Sequence, residues 1–181
     1  MVLYVRVEKN EMHGNLVLLI PTQKEQKPMA ENDNIYMRAA LDEAHEAYRV
    51  GEVPIGAVVV RRGEIIGRGH NRRETWKDPT AHAELLAIRD ACQRLGGWRL
   101  TESVLYVTIE PCSMCAGAIV LARIPRLVYG ALDPKGGAVD SLFDLVRRED
   151  LNHRVEVTGG VLEDECRALM QRFFQELRGQ V

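Results

Sequence analysis

The 181-residue sequence predicts an α/β fold: a three-layer α-β-α sandwich around a five-stranded mixed sheet. Three observations predict it. Strand-like and helix-like segments alternate along most of the chain, which implies a sheet covered on both faces. The segment "VPIGAVVV" is almost wholly apolar, the pattern of a strand buried on both sides. About twenty residues separate the last two strand-like segments, "RLVYGAL" and "HRVEVTGG". A hairpin needs only a few, so a crossover joins them as a parallel pair. A hydrophobic content of 46% suffices for one substantial core.

The elements follow in order. "NIYMRAALDEAHEAYRVG" is an amphipathic helix, capped by Asp33 or Asn34 and closed by Gly51. "VPIGAVVVRRGEIIGRGHN" is a β-hairpin whose first strand is central. "AHAELLAIRDACQRLGG" is a second helix, with Thr80 as its cap and Gly96-Gly97 as its end. "SVLYVTIE" is a β-branched strand. "CAGAIVLARI" is a short, nearly all-apolar helix, expected to be buried. "RLVYGAL" is the fourth strand, "SLFDLV" a possible helical turn, "HRVEVTGG" the fifth strand, and "LEDECRALMQRFFQELR" a closing amphipathic helix.

Residues 1–33 read differently. "PTQKEQKPMAENDN" is polar, contains proline and has no helical or strand period, so this part is expected to be a flexible leader before a domain over residues 34–181. "NLVLLIP" within it is too short for an anchor and precedes no small-residue cleavage site. No apolar run is long enough to cross a bilayer. A net charge of -2 and a pI of about 6.2 give no support to broad electrostatic binding of nucleic acid, so any such binding would rest on local placement. Four cysteines, Cys92, Cys112, Cys115 and Cys166, are too few for a disulfide scaffold, and a reducing, cytoplasmic compartment is expected.

The chemistry lies in "TAHAE" and "EPCSMC". His82, Cys112 and Cys115 each fall at the start of a helix, where unpaired N–H groups favour the thiolate form that binds metal. Two thiolates and a neutral imidazole offset the charge of Zn2+ and leave one tetrahedral position open. That is the pattern of catalytic zinc; structural zinc is closed by four ligands. His70, His153, Cys92 and Cys166 are further candidates for a ligand, although the two cysteines fit better as small buried hydrophobes. Alone, a C-x-x-C pair is a weak signal and His82 an ordinary surface histidine. Together with Glu84 they complete the zinc deaminase pattern H-x-E … P-C-x-x-C. Residues two apart on a helix point about 200° apart, so His82 and Glu84 meet only if the helix aims end-on at the site. Glu84 is then the proton carrier in the hydrolytic deamination of a nucleobase by a zinc-activated water.

These motifs resemble the cytidine deaminase-like superfamily of zinc deaminases. With "VPIGAVVV", "GHN", "DPTAHAE", "LYVTIEPCSMCAGAI", "YGALDPKGG", "NHRVEV" and "DECRALMQRFF" the chain is similar, from about Ile35 to Arg178, to the bacterial tRNA-specific adenosine deaminases. The resemblance implies a cytidine deaminase-like fold, one zinc per subunit and a homodimer. It implies a substrate too: the wobble adenosine of a tRNA anticodon stem-loop, converted to inosine. It also implies substrate contacts at Asn71, Asp133 and Lys135, and a pocket wall at Pro54 and Ile55. Leu132 stands where relatives often carry a polar residue. Phe173 and Phe174 are candidates for base stacking, with at least one of them in the core. Arg72, Arg73, Lys77, Arg147, Arg148 and Arg154 are candidates for phosphate binding. Two rivals remain open: a deaminase of a free base or nucleotide, of guanine or cytosine type, and a non-catalytic zinc-stabilised binding module. The crossover before the fifth strand argues against the small cytidine deaminases, and Glu84 argues against the module.

Overall fold

The structure, a computed structural model, describes residues 6–9, 16–19 and 29–179. The chain divides into two units at Asn32–Asp33. In the first unit, β1 (Arg6–Lys9) and β2 (Leu16–Leu19) pair antiparallel, with Arg6 opposite Leu19. The stretch "NLVLLIP" thus supplies a strand. Residues 21–28, most of the patternless part of the expected leader, lie outside the described residues.

The second unit is built on a sheet of five strands. They are β3 (Gly56–Arg61), β4 (Glu64–His70), β5 (Ser103–Ile109), β6 (Arg126–Ala131) and β7 (Glu156–Thr158), in the order β4-β3-β5-β6-β7. β3 runs antiparallel to β4 and β5, whereas β5, β6 and β7 are parallel. The mixed sheet, the central place of β3 and the parallel crossover all match the sequence expectation. Alternation along the strands builds two cores. Ala57, Val59, Leu105, Val107, Leu127 and Tyr129 face α3 (Ala83–Leu95) and α4 (Ser113–Leu121). Val58, Val60, Tyr106 and Val128 face α1 (Met29–Arg49) and α5 (Glu163–Gly179). A four-residue helix, α2 (Arg73–Trp76), follows β4.

Four local expectations are corrected. α1 begins at Met29, so Asp33 is no cap; it is buried inside the helix, where its carboxylate accepts bonds from Tyr106 and Arg126. Thr80 does not cap α3: its N–H and hydroxyl both donate to Asp78, and His82 is the N-cap. "SLFDLV" forms no helix: the Leu142 and Leu145 N–H groups bond the Gly137 and Ala138 carbonyls rather than the carbonyls four residues back. α4 is buried on one side only. Cys115, Ala116, Ile119 and Val120 enter the core, while Leu121 is 70% exposed.

Candidate active site

Two helices aim their N-termini at one place. β4 carries glycines where α3 crosses it: a Cβ at Gly69 would lie 2.4 Å from the Ala83 carbonyl oxygen and 2.5 Å from the Ala87 nitrogen. That close approach seats the start of α3 against the end of β4. α4 springs from the end of β5 through Glu110-Pro111, with Cys112 as its N-cap. His82 and Cys112 are both extended N-cap residues without side-chain capping bonds, so both side chains are free to face the gap between the helices.

His82 Nδ1 lies 3.7 Å from Cys112 Sγ and 3.6 Å from Cys115 Sγ, and the three donor atoms lie within 4.8 Å of one another. A tetrahedral ion with bonds of about 2.3 Å to sulfur and 2.0–2.1 Å to nitrogen sets sulfur and nitrogen about 3.6 Å apart. The donor set therefore fits a tetrahedral metal without rearrangement. Cys112 is held down to about 4, first by the bond from Cys115 and then by His82, whereas the same bond and burial push Cys115 up. His82 is raised, chiefly by its contact with Cys112. Of the further candidates, His70 bonds Glu43, His153 bonds the Ile124 carbonyl, and Cys166 sits in the α1–α5 core. Cys92 packs against the α3–α4 core.

Glu84, in the first turn of α3, is 4% exposed. Burial pushes its carboxyl up to about 7. It shares with His82, Cys112, Asn71, Ile55 and Asp133 the walls of a cavity of about 60 Å3. The end-on helix required for His82 and Glu84 to meet is thus what forms. Asn71 is fixed from behind: its Nδ2 donates to Glu52 Oε2 at 3.0 Å, and Glu52 Oε1 accepts from the Thr75 N–H at 2.6 Å. Held this way, the amide turns its carbonyl oxygen away from Glu52.

The small cavity opens, through Ile55, His82, Ile109 and Asp133, into a groove of about 910 Å3. Leu132, Pro134 and Lys135 form one side and α5 the other. Phe174 lines the groove, while Phe173 packs edge-on against Tyr48. Of the arginines singled out, Arg73 reaches the groove. Arg147 is bound by Asp140 and Asp144, Arg148 by Asp150, and Arg154 lies 3.7 Å from Glu149. Sequence reasoning missed Arg167 and Arg178 in the groove. The signal was present: residues 167, 170, 171, 174, 175 and 178 lie on one face of a helix, and Arg-Met-Gln-Phe-Gln-Arg is too polar for a core stripe. It also missed Glu52 and Glu110, both buried.

Two stacked cores, a mixed sheet and a His/Cys/Cys cluster beside a buried glutamate define a deaminase. Residues 31–178 match the family model of the MafB19-like deaminases, and the chain belongs to that family. It is 55% identical over 146 residues to a tRNA-specific adenosine deaminase of Bacillus subtilis, covering 81% of this chain and 91% of that protein. With the tRNA-specific adenosine deaminase of Aquifex aeolicus it shares 48% over 146 residues, 81% of this chain and 96% of that one. A solved structure from work on A-to-I editing by tRNA:A34 deaminases at the wobble position superposes with a TM-score of 0.72 at 49% identity, covering 75% of this chain and 98% of that chain. A Bacillus subtilis guanine deaminase structure has a TM-score of 0.52 at 44% identity, covering 54% of this chain and 63% of that one. Among the described residues, no helix is long and apolar enough to cross a membrane.

Proposed function

We propose that this chain hydrolyses adenosine to inosine at the wobble position of a tRNA anticodon loop, with one zinc ion held by His82, Cys112 and Cys115. The observation that carries the reading is the buried Glu84 beside those three donors, at the closed end of a cavity that opens into a long groove. When bound, zinc supplies a Lewis acid that makes water nucleophilic near neutral pH. Glu84, with a carboxyl near 7, accepts the proton of the attacking water and returns it to the purine ring nitrogen. The same carboxylate then takes the remaining proton from the hydroxyl newly bonded to the ring carbon and passes it to the departing amine, so one water is consumed, one ammonia leaves and a carbonyl remains. Asn71, locked by Glu52, accepts a hydrogen bond from the base.

The groove favours a polymer over a free base, being far larger than one purine. Its Lys135, Arg167 and Arg178 suit phosphates, and Phe174 offers a ring for a neighbouring base. An anticodon loop presents bases that splay out at low cost. A homodimer belongs to this reading. The partly open face of α4, with Met114, Ala118 and Leu121 at helical spacing, and exposed Leu142 and Phe143 are apolar surfaces suited to a second copy. A tRNA substrate places the enzyme in the cytoplasm.

The test compares an anticodon stem-loop carrying a wobble adenosine with free bases and nucleosides, using the zinc-loaded chain and a Glu84→Ala variant. Inosine should form in the RNA alone and fall by at least a hundredfold in the variant, with zinc content unchanged. Turnover confined to free bases would overturn the reading in favour of a guanine- or cytosine-type enzyme.

A further inference from the structure

We propose that a second cavity, on the opposite side of the β4 end from the candidate active site, binds a nucleotide of the same RNA strand flanking the reacting adenosine; this rests on RNA being the substrate. The cavity, about 340 Å3, lies among α1, β4, α2 and α3. Its walls include Arg68, His70, Arg72, Trp76 and Arg89, together with Glu43 and Asp90.

Its charges are unevenly matched. Glu43 holds Arg68 at 3.3 Å and His70 Nδ1 at 2.9 Å. Asp90 holds Arg94 at 3.2 Å and accepts from the Arg68 N–H at 3.0 Å. Both carboxylates are therefore engaged. Among the described residues, neither Arg72 nor Arg89 forms a side-chain hydrogen bond or a contact ion pair, and Arg89 acts only at longer range on Asp78. Two cations are left for an anion.

His70 Nε2 is buried and has no hydrogen-bond partner. The His70 ring lines the cavity, and a buried polar atom left unpaired favours any small ring movement that gives it a partner there. A ribose 2′-hydroxyl, which both donates and accepts, suits this nitrogen in either tautomer. The indole of Trp76 is 55% exposed at this cavity and offers a stacking face. Cation, hydroxyl partner and ring together describe one nucleotide.

The chain connects this cavity to the chemistry. Along four successive residues, His70 and Arg72 line the second cavity, Asn71 the small cavity, and Arg73 the groove. Successive Cα atoms are about 3.8 Å apart, so the two sites share a wall one residue thick. An RNA strand that leaves Glu84 over this wall delivers a neighbouring nucleotide to Trp76 and Arg72.

The test uses the full zinc-loaded chain and an anticodon stem-loop with a wobble adenosine. Inosine formation by the unsubstituted chain tests the RNA reading. The cavity is tested by Trp76→Ala and Arg89→Ala, neither of which touches the catalytic groups. Trp76→Ala should raise KM about tenfold with kcat unchanged. In a Glu84→Ala background, Arg89→Ala should weaken RNA binding about threefold and lower the slope of log Kd against log salt by about 0.7. Trp98 is the second of two tryptophans, so a Trp98→Phe chain reports Trp76 alone, and its emission should be quenched as RNA saturates. If the unsubstituted chain makes inosine while KM, salt slope and Trp76 emission all stay unmoved, the cavity does not bind the strand.

Discussion

Glu110 is 2% exposed and forms no hydrogen bond with any of the three metal donors, yet the loop that walls the site hangs from it. Its Oε1 accepts from the N–H groups of Val139, Asp140 and Ser141 at 2.7–3.0 Å. Its Oε2 accepts from the Asp133 N–H at 3.0 Å and from the Ser141 hydroxyl. Burial pushes this carboxyl up, but the donors outweigh burial and leave it below its ordinary value. Gly137 lets the loop close: a Cβ there would lie 2.3 Å from the Glu110 carboxylate. Glu110 is therefore a positioning residue for Asp133 and Lys135. Glu110→Ala would leave the buried Val139 N–H unpaired, at a cost of about 1–3 kcal/mol, and would release the part-buried N–H groups of Asp133, Asp140 and Ser141. It should raise KM for the stem-loop at least tenfold and speed amide exchange at residues 139–141, with Glu110→Gln restoring part of both. Unchanged exchange at those amides would show that the loop holds itself. Glu110 and Glu52 escaped the sequence reading for one reason. Their principal partners include backbone N–H groups, which every residue carries, whereas His82, Glu84, Cys112 and Cys115 announce themselves by residue type and spacing.

At the scale of elements, the site depends on how α3 is seated. Gly67 and Gly69 of β4 lie under Ala83, Ala87 and Ala91, so helix and strand meet backbone to backbone. Gly69→Ala must push α3 off the sheet, because the clashing atoms are backbone. A cost of about 1–3 kcal/mol is expected. A shift near 1 Å at His82 and Glu84 should lower kcat about a hundredfold. Gly97→Ala, at a glycine with nothing within 4 Å, is the control and should leave kcat and the denaturation midpoint unchanged. Equal kcat in the two variants would sink the argument. The order of elements was legible because period and length separate strands from helices. The edges were less so. α1 starts at Met29 since "MAEN" continues a helix that polar composition alone reads as leader, and "SLFDLV" fails to coil because its Leu142 and Leu145 N–H groups bond the Gly137 and Ala138 carbonyls of the preceding loop. α4 looked wholly buried because an all-apolar helix gives no sequence clue to which face stays open.

Across the whole catalytic unit, one buried ion pair ties the layers together. Asp33 on α1 accepts from Arg126 on β6 at 2.9 and 2.7 Å and from the Tyr106 hydroxyl on β5 at 2.8 Å, and Arg126 also donates to Thr158 on β7 at 3.0 Å. Three elements far apart in sequence meet at one carboxylate, and Arg126 ties in a fourth. Burial pushes Asp33 up, but the Arg126 and Tyr106 bonds prevail and hold it below its ordinary value of 3.8. Asp33→Asn leaves the Arg126 guanidinium buried beside a neutral amide, a loss of about 3–5 kcal/mol. The sign of the pH dependence follows from the depressed folded value. The charged pair contributes fully above about pH 4, where the unfolded chain is already ionised, and the contribution is lost as pH falls through the lower folded pKa. Urea denaturation should therefore show a constant gap between the unsubstituted chain and Asp33→Asn from pH 5 to 8 (~3 kcal/mol or more), narrowing below about pH 4. A gap that widened on acidification would mean that Asp33 is protonated in the folded chain, and that the four elements are held by packing rather than by this charge.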